Sequence, residues 1–125
     1  MRKTILLAVA LSASMPALSA APGTAQNFLD RANRLKGKGP LAFFDSDYKR
    51  LKAEATAVGK SIGDDRIAAQ KAGKPILYCS PKARAELGSY EFLDGLEAIP
   101  ATERQNMPLK AAMLRVLQKK YPCKR

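Results

Sequence analysis

The chain has no histidine and no tryptophan, and it has only two cysteines and 6% aromatic residues over 125 positions. Each shortage excludes some chemistry. Without histidine there is no Ser–His or Cys–His nucleophile pair, no imidazole base near neutral pH and none of the commonest metal ligand. No glycine-rich loop follows a strand pattern, so the phosphate-cradling and dinucleotide fingerprints are missing too. Carboxylates remain as the source of acid–base chemistry or hard-cation binding. Asp45-Ser46-Asp47 reads as a helix cap. Gly63-Asp64-Asp65 reads as a turn that lacks the further oxygen ligands of a calcium loop. Glu91, Asp94 and Glu97 recur at three-residue steps and read as a solvated acidic ridge. No catalytic residue, metal ligand or cofactor is assigned, and the chain is expected not to be an enzyme.

Long apolar runs are scarce as well. The longest, residues 5–11, falls short of the ~20 residues a bilayer span needs. It follows Arg2 and Lys3 and precedes the small residues Ser12-Ala13-Ser14, Pro16 and Ala17-Leu18-Ser19-Ala20-Ala21. That order is the three-part plan of a cleavable secretory signal. The reading is a bacterial signal peptide over residues 1–20, with cleavage after Ala20 and with Ser19 and Ala21 as neighbouring alternatives. The expected location is the periplasm or the medium.

A single domain is expected over residues 21–125. Removing Arg2 and Lys3 from the 22 Lys and Arg leaves 20 against 11 Asp and Glu, a net charge of +9. Such a surface favours anionic partners: an acidic protein face, anionic lipid, lipopolysaccharide or cell wall. Export argues against nucleic acid. Cys79 and Cys123, an even pair in an oxidising compartment, read as one structural disulfide, the alternative being a redox-active pair without a Cys-x-x-Cys. The loop it would close corresponds to about 4 kcal/mol of stabilisation by chain entropy.

Four helices account for most of what remains, and no internal repeat or low-complexity linker interrupts them. Thr24 can cap a first helix with Phe28, Leu29, Ala32 and Leu35 on one face, ended by Gly37, Gly39 and Pro40. Leu41, Phe43 and Phe44 form an apolar link to a second helix capped by Asp45 or Ser46. Its stripe is Tyr48, Leu51, Ala55, Val58 and Ile62, with a bend expected near Gly63-Asp64-Asp65 and an end at Gly73 and Pro75. Residues 75–81 read as extended, with Ile76 and Tyr78 facing one way and Leu77 the other. Ser89 is expected to cap a third helix with Phe92, Leu93 and Leu96 inward, ended by Ile99-Pro100. A polar turn over residues 101–105 leads to a last helix opened by Pro108, which buries Leu109, Ala112, Met113, Val116 and Leu117. The predicted fold is an all-α, four-helix bundle stapled at its tail by Cys79–Cys123.

Residues 79–123 also resemble a known family. Cys79-Ser80-Pro81, the helix with Phe92-Leu93, Ile99-Pro100 with Arg104, the final helix with Leu109, Leu114 and Leu117, and the terminal Tyr121-Pro122-Cys123 occur in one order. That order is similar to the C-terminal part of the small periplasmic immunity proteins of the Tai type. The resemblance spans about 45 residues and does not extend to the N-terminal half, where further cysteines and a Gly-Tyr-containing helix would be expected. It implies a compact helical bundle with a disulfide that protects a bacterium against peptidoglycan amidases delivered by type VI secretion. On that reading the partner is a secreted effector protein with an acidic cleft. Lys110, Arg115 and Lys119, or the loops at Gly37-Lys38-Gly39 and Gly63-Asp64-Asp65, are the candidate contacts. The alternative is a basic envelope protein in peripheral contact with anionic lipid, lipopolysaccharide or cell wall.

Overall fold

A computed structural model describes residues 20–82 and 84–124. The expected signal peptide, apart from Ala20, lies outside them. Helix α1 is Ala25–Lys36, a 3-10 helix is Gly39–Phe44, and α2 is Ser46–Lys71. Then come α3 Ser89–Glu97, the single turn α4 Ala101–Arg104, and α5 Leu109–Lys120. The described residues are mostly helical, with four helices of nine residues or more among them and a Cys79–Cys123 disulfide. Helix α1 packs on α2 and α3, and α5 packs on the same two and on α1. The buried side chains form one cluster running from Ala25 to Leu117.

Local chemistry explains where each helix begins and ends. Thr24 Oγ1 accepts from the Asn27 N–H at 3.2 Å and caps α1, and Phe28, Leu29, Ala32 and Leu35 are buried as the stripe predicts. The starts of α1 and α5 are bolted together. Ala25 N–H donates to the Met107 carbonyl at 2.8 Å and Leu109 N–H to the Gly23 carbonyl at 3.0 Å. All five expected residues of α5 are buried. Phe28 and Phe92 stack at 5.5 Å between α1 and α3. Arg104 closes the end of α3, donating to the carbonyls of Ile99 at 2.6 Å and Glu97 at 3.0 Å and to Gln26 Oε1 at 2.8 Å. Orphan carbonyls at a helix C-terminus are thereby satisfied.

Several expectations are corrected. Gly63-Asp64-Asp65 is neither a bend nor a turn, because α2 runs through it to Lys71. A helical glycine costs only about 1 kcal/mol, and the ion pairs Lys60–Asp64 at 2.8 Å and Lys110–Asp65 at 2.6 Å support that stretch. The helix ends at Gly73, whose φ of +68° forms a Schellman closure with Lys74 N–H on the Ala69 carbonyl. Of the two expected cap candidates for α2, Asp45 is the cap and Ser46 the first helical residue. Ser89 is the first residue of α3 rather than its cap; Gly88 precedes it, and its N–H donates to Glu91 Oε1 at 3.3 Å. Residues 101–105 form a helical turn because the Pro100 carbonyl accepts from the N–H groups of Glu103 and Arg104. Residues 75–81 form no strand; Tyr78 is buried and Leu77 exposed, as the alternation predicts.

Two glycines in helices have opposite roles. A Cβ at Gly95 would lie 2.7 Å from Val116 Cγ1, so its bareness lets α3 and α5 approach. Nothing lies within 4 Å of a Cβ at Gly63. Gly95→Ala should destabilise the fold by roughly 1–3 kcal/mol, recovered in part by Val116→Ala, whereas Gly63→Ala should stabilise it by about 1 kcal/mol. Denaturant unfolding of the three variants measures this, and equal effects at the two glycines would contradict the packing.

Candidate functional site

Three surface features stand out. The first is a charge clamp between α1 and α2. Arg31 Nη2 lies 2.6 Å from Asp47 Oδ1, and its Nη1 lies 2.9 Å from Glu54 Oε2. Arg34 Nη2 reaches the other Asp47 oxygen at 2.8 Å, and Lys38 pairs with Asp45. Asp45 also accepts the Asp47 N–H at 2.8 Å, which makes it the cap of α2. Hydrogen bonds from Arg31 and then Arg34 hold the Asp47 carboxyl below its ordinary pKa, and the Lys38 ammonium does the same for Asp45. The Asp47 bond in turn holds Arg31 above its ordinary value. These two aspartates form a structural clamp, with Arg34 shared between them at 2.8 Å from Asp47 and 3.8 Å from Asp45.

The second feature sits on that clamp. The 3-10 helix leaves Leu41 69%, Phe43 64% and Phe44 87% exposed, where the sequence reading makes these residues a plain apolar link. Gly39, with φ of +58°, opens the segment, and Phe43 leans edge-on against Tyr48 with ring centres 5.2 Å apart. An open depression of about 680 Å³ runs beside it, lined by Gly37, Lys38, Leu41, Phe44 and Asp45. The Gly37-Lys38-Gly39 loop therefore adjoins the exposed apolar residues. The signal available in the sequence was a cluster of large apolar residues between turn formers, without helical or strand periodicity.

The third feature is the irregular segment 74–88, which is pinned at several points. Cys79 is bonded to Cys123 with Cα atoms 4.9 Å apart, and its N–H donates to the Tyr121 carbonyl at 2.8 Å. Arg66 of α2 reaches under it, donating to the Ser80 hydroxyl, to the Ser80 carbonyl at 3.2 Å and to the Lys82 carbonyl at 3.3 Å. Its guanidinium also lies 5.1 Å from the centre of the buried Tyr78 ring. Further along, Lys120 Nζ and the Tyr121 hydroxyl both donate to the Glu86 carbonyl, at 2.7 and 2.9 Å. Arg84 and the Lys82 side chain are exposed within the pinned stretch, beside a notch of about 60 Å³. Arg66 escapes a sequence reading because its partners lie 14 and 16 residues away.

The residues singled out from sequence do not gather into one patch. Lys110 faces α2, bonded to Asp65 at 2.6 Å and Ser61 at 2.8 Å, and Arg115 faces α4 through Glu103 at 3.1 Å. Lys119 is exposed in the last turn of α5, half a revolution around the axis from Lys110. Gly63-Asp64-Asp65, a candidate contact loop by sequence, is helix. The carboxylates considered for acid–base work do not converge: Asp45, Asp64 and Glu91 are engaged by Lys38, Lys60 and Lys120 respectively. No group of three or more acidic or cysteine side chains able to hold a metal occurs among the described residues.

Acid should loosen the clamp. Asp45 and Asp47 titrate below the ordinary value of 3.8, so their stabilisation is complete above it and is lost as pH falls through the folded-state values. Asp47→Asn should lower the thermal midpoint at neutral pH and flatten its fall below pH 4. Melting curves recorded from neutral to acid check this; a parallel pH dependence in variant and parent would contradict it. No protein-family model, curated protein or solved structure matches this chain.

Proposed function

We propose that the chain is an exported binding protein that neutralises a secreted hydrolase by occluding its cleft, and that segment 74–88 is the occluding element. The observation that carries this reading is the pinning of that segment. Its described residues lack regular structure, yet the disulfide, Arg66, Lys120 and Tyr121 fix it on both sides of Arg84. A loop already held in its bound shape avoids much of the ordering cost of association. Lys82 and Arg84 give it positive charge suited to an acidic groove, with Lys119 in the last turn of the helix whose end holds Glu86. The resemblance of residues 79–123 to Tai-type immunity proteins supplies the target class, a peptidoglycan amidase delivered by type VI secretion. Periplasmic residence follows from the signal-like N-terminus and agrees with the disulfide. No helix among the described residues is long and apolar enough to cross a membrane.

The test is inhibition of a peptidoglycan amidase encoded beside this gene. Stoichiometric inhibition by the processed protein, weakened roughly tenfold or more by Lys82→Glu with Arg84→Glu, is expected. Lys110→Ala should leave it unchanged, because that ammonium is occupied by Asp65. No inhibition, or inhibition indifferent to the loop charges, would overturn the assignment of the loop.

A further inference from the structure

We infer that the 3-10 segment Gly39–Phe44 is a docking element for an anionic phospholipid surface, through which the protein sits at the face of a membrane. The inference does not depend on what segment 74–88 binds. Leu41, Phe43 and Phe44 stand in solvent next to one another, and the segment Gly-Pro-Leu-Ala-Phe-Phe has no polar side chain. Folding gains nothing from leaving such residues out of the core. The clamp beneath them keeps them out: Arg31, Arg34 and Lys38 engage Asp45 and Asp47 on both sides of the segment.

Size and composition distinguish the occupants. The exposed parts of the three side chains amount to about 400 Å². A stable protein interface needs about 800 Å² per partner, so a second copy or a protein partner docked here alone would be weakly held. Protein hot spots favour Trp, Tyr and Arg, with hydrogen-bonding groups that this segment lacks. A bilayer interface accepts Phe and Leu without any hydrogen-bond complement and gains further from adjacent cations. Those cations are present. Lys49, Arg50 and Lys52 are exposed at the start of α2 with no carboxylate among the described residues in ion-pairing range, while Lys36 at the end of α1 lies over the Tyr90 ring. The nearby acids, Asp45 and Asp47, are already neutralised by the clamp. An apolar segment followed within eight residues by three exposed cations, Lys49, Arg50 and Lys52, matches a layer of anionic headgroups above acyl chains.

The chain's lack of tryptophan makes the test direct, since Phe44→Trp introduces the sole indole. The processed variant, recovered from the periplasm, is titrated with vesicles of phosphatidylglycerol and phosphatidylcholine in equal parts, or of phosphatidylcholine alone. A blue-shifted emission quenched by brominated acyl chains is expected on the mixed vesicles, with roughly tenfold or weaker partition to the neutral ones. In the otherwise native chain, Leu41→Ser with Phe44→Ser should abolish the part of vesicle binding that survives moderate salt, with circular dichroism unchanged. Unshifted emission on mixed vesicles would overturn the proposal. So would vesicle binding that salt removes entirely and the serine pair leaves intact, which is charge attraction alone. Absence of vesicle binding together with a dimer in sedimentation that Phe44→Ser dissolves would assign the segment to a second copy instead.

Discussion

The Cys79–Cys123 bridge is the constraint on which the rest of this structure depends. The described residues of the stretch 74–88, between α2 and α3, have no helix or strand to order them, and the C-terminus beyond α5 has little to bury. Joining the two gives each a fixed neighbour. Once Cys79 is held, Tyr78 turns into the core, Ser80 meets Arg66, and Glu86 comes within reach of Lys120 and Tyr121. A chain of this size buries a limited fraction of its surface, so a covalent tie worth about 4 kcal/mol is a large share of its stability. The same tie holds the exposed residues 122 and 123 against the segment and leaves Tyr121 half-buried.

Two rigid displays follow from two kinds of fastening. The covalent one, with Arg66 beneath it, fixes the cationic loop at Lys82 and Arg84. The ionic one, Arg31 and Arg34 on Asp47 with Lys38 on Asp45, fixes the junction of α1 and α2 and lifts Leu41, Phe43 and Phe44 into solvent. In the proposed account the first faces a protein and the second a lipid surface, which would place an inhibitor where a wall-degrading enzyme acts. The net positive charge serves both without being concentrated in one patch, since Lys110 and Arg115 are tied to Asp65 and Glu103.

Much of the scaffold was legible in the sequence, because local rules decide it. The Thr24 cap, the stripe of α1 and the five buried residues of α5 need only periodicity and capping chemistry. The disulfide needed only two cysteines and an N-terminus that reads as an export signal. What escaped depends on tertiary partners. Helix α2 continues through Gly63 because Lys110, on another helix, supports Asp65, and a local reading sees only turn residues. Gly95 reads as a weak helix former until Val116 is set against it. Leu41, Phe43 and Phe44 read as a plain apolar link for want of any local sign that they would stand in solvent, and Arg66 gives no hint of a loop that returns to it 14 residues later. The contact residues chosen by charge alone, Lys110 and Arg115, fared worst, since charge on a helix says nothing about which carboxylate is waiting opposite.

The most direct check on the account is hydrogen exchange of the oxidised chain against the chain in which Cys79 and Cys123 are reduced. If the bridge orders the segment, reduction should strip protection from the Cys79 amide and its neighbours over residues 74–88, while the amides of α1 and α5 stay protected. Equal protection of that segment with and without the bridge would contradict the account, since the loop would then hold its shape without the tie that is argued to give it.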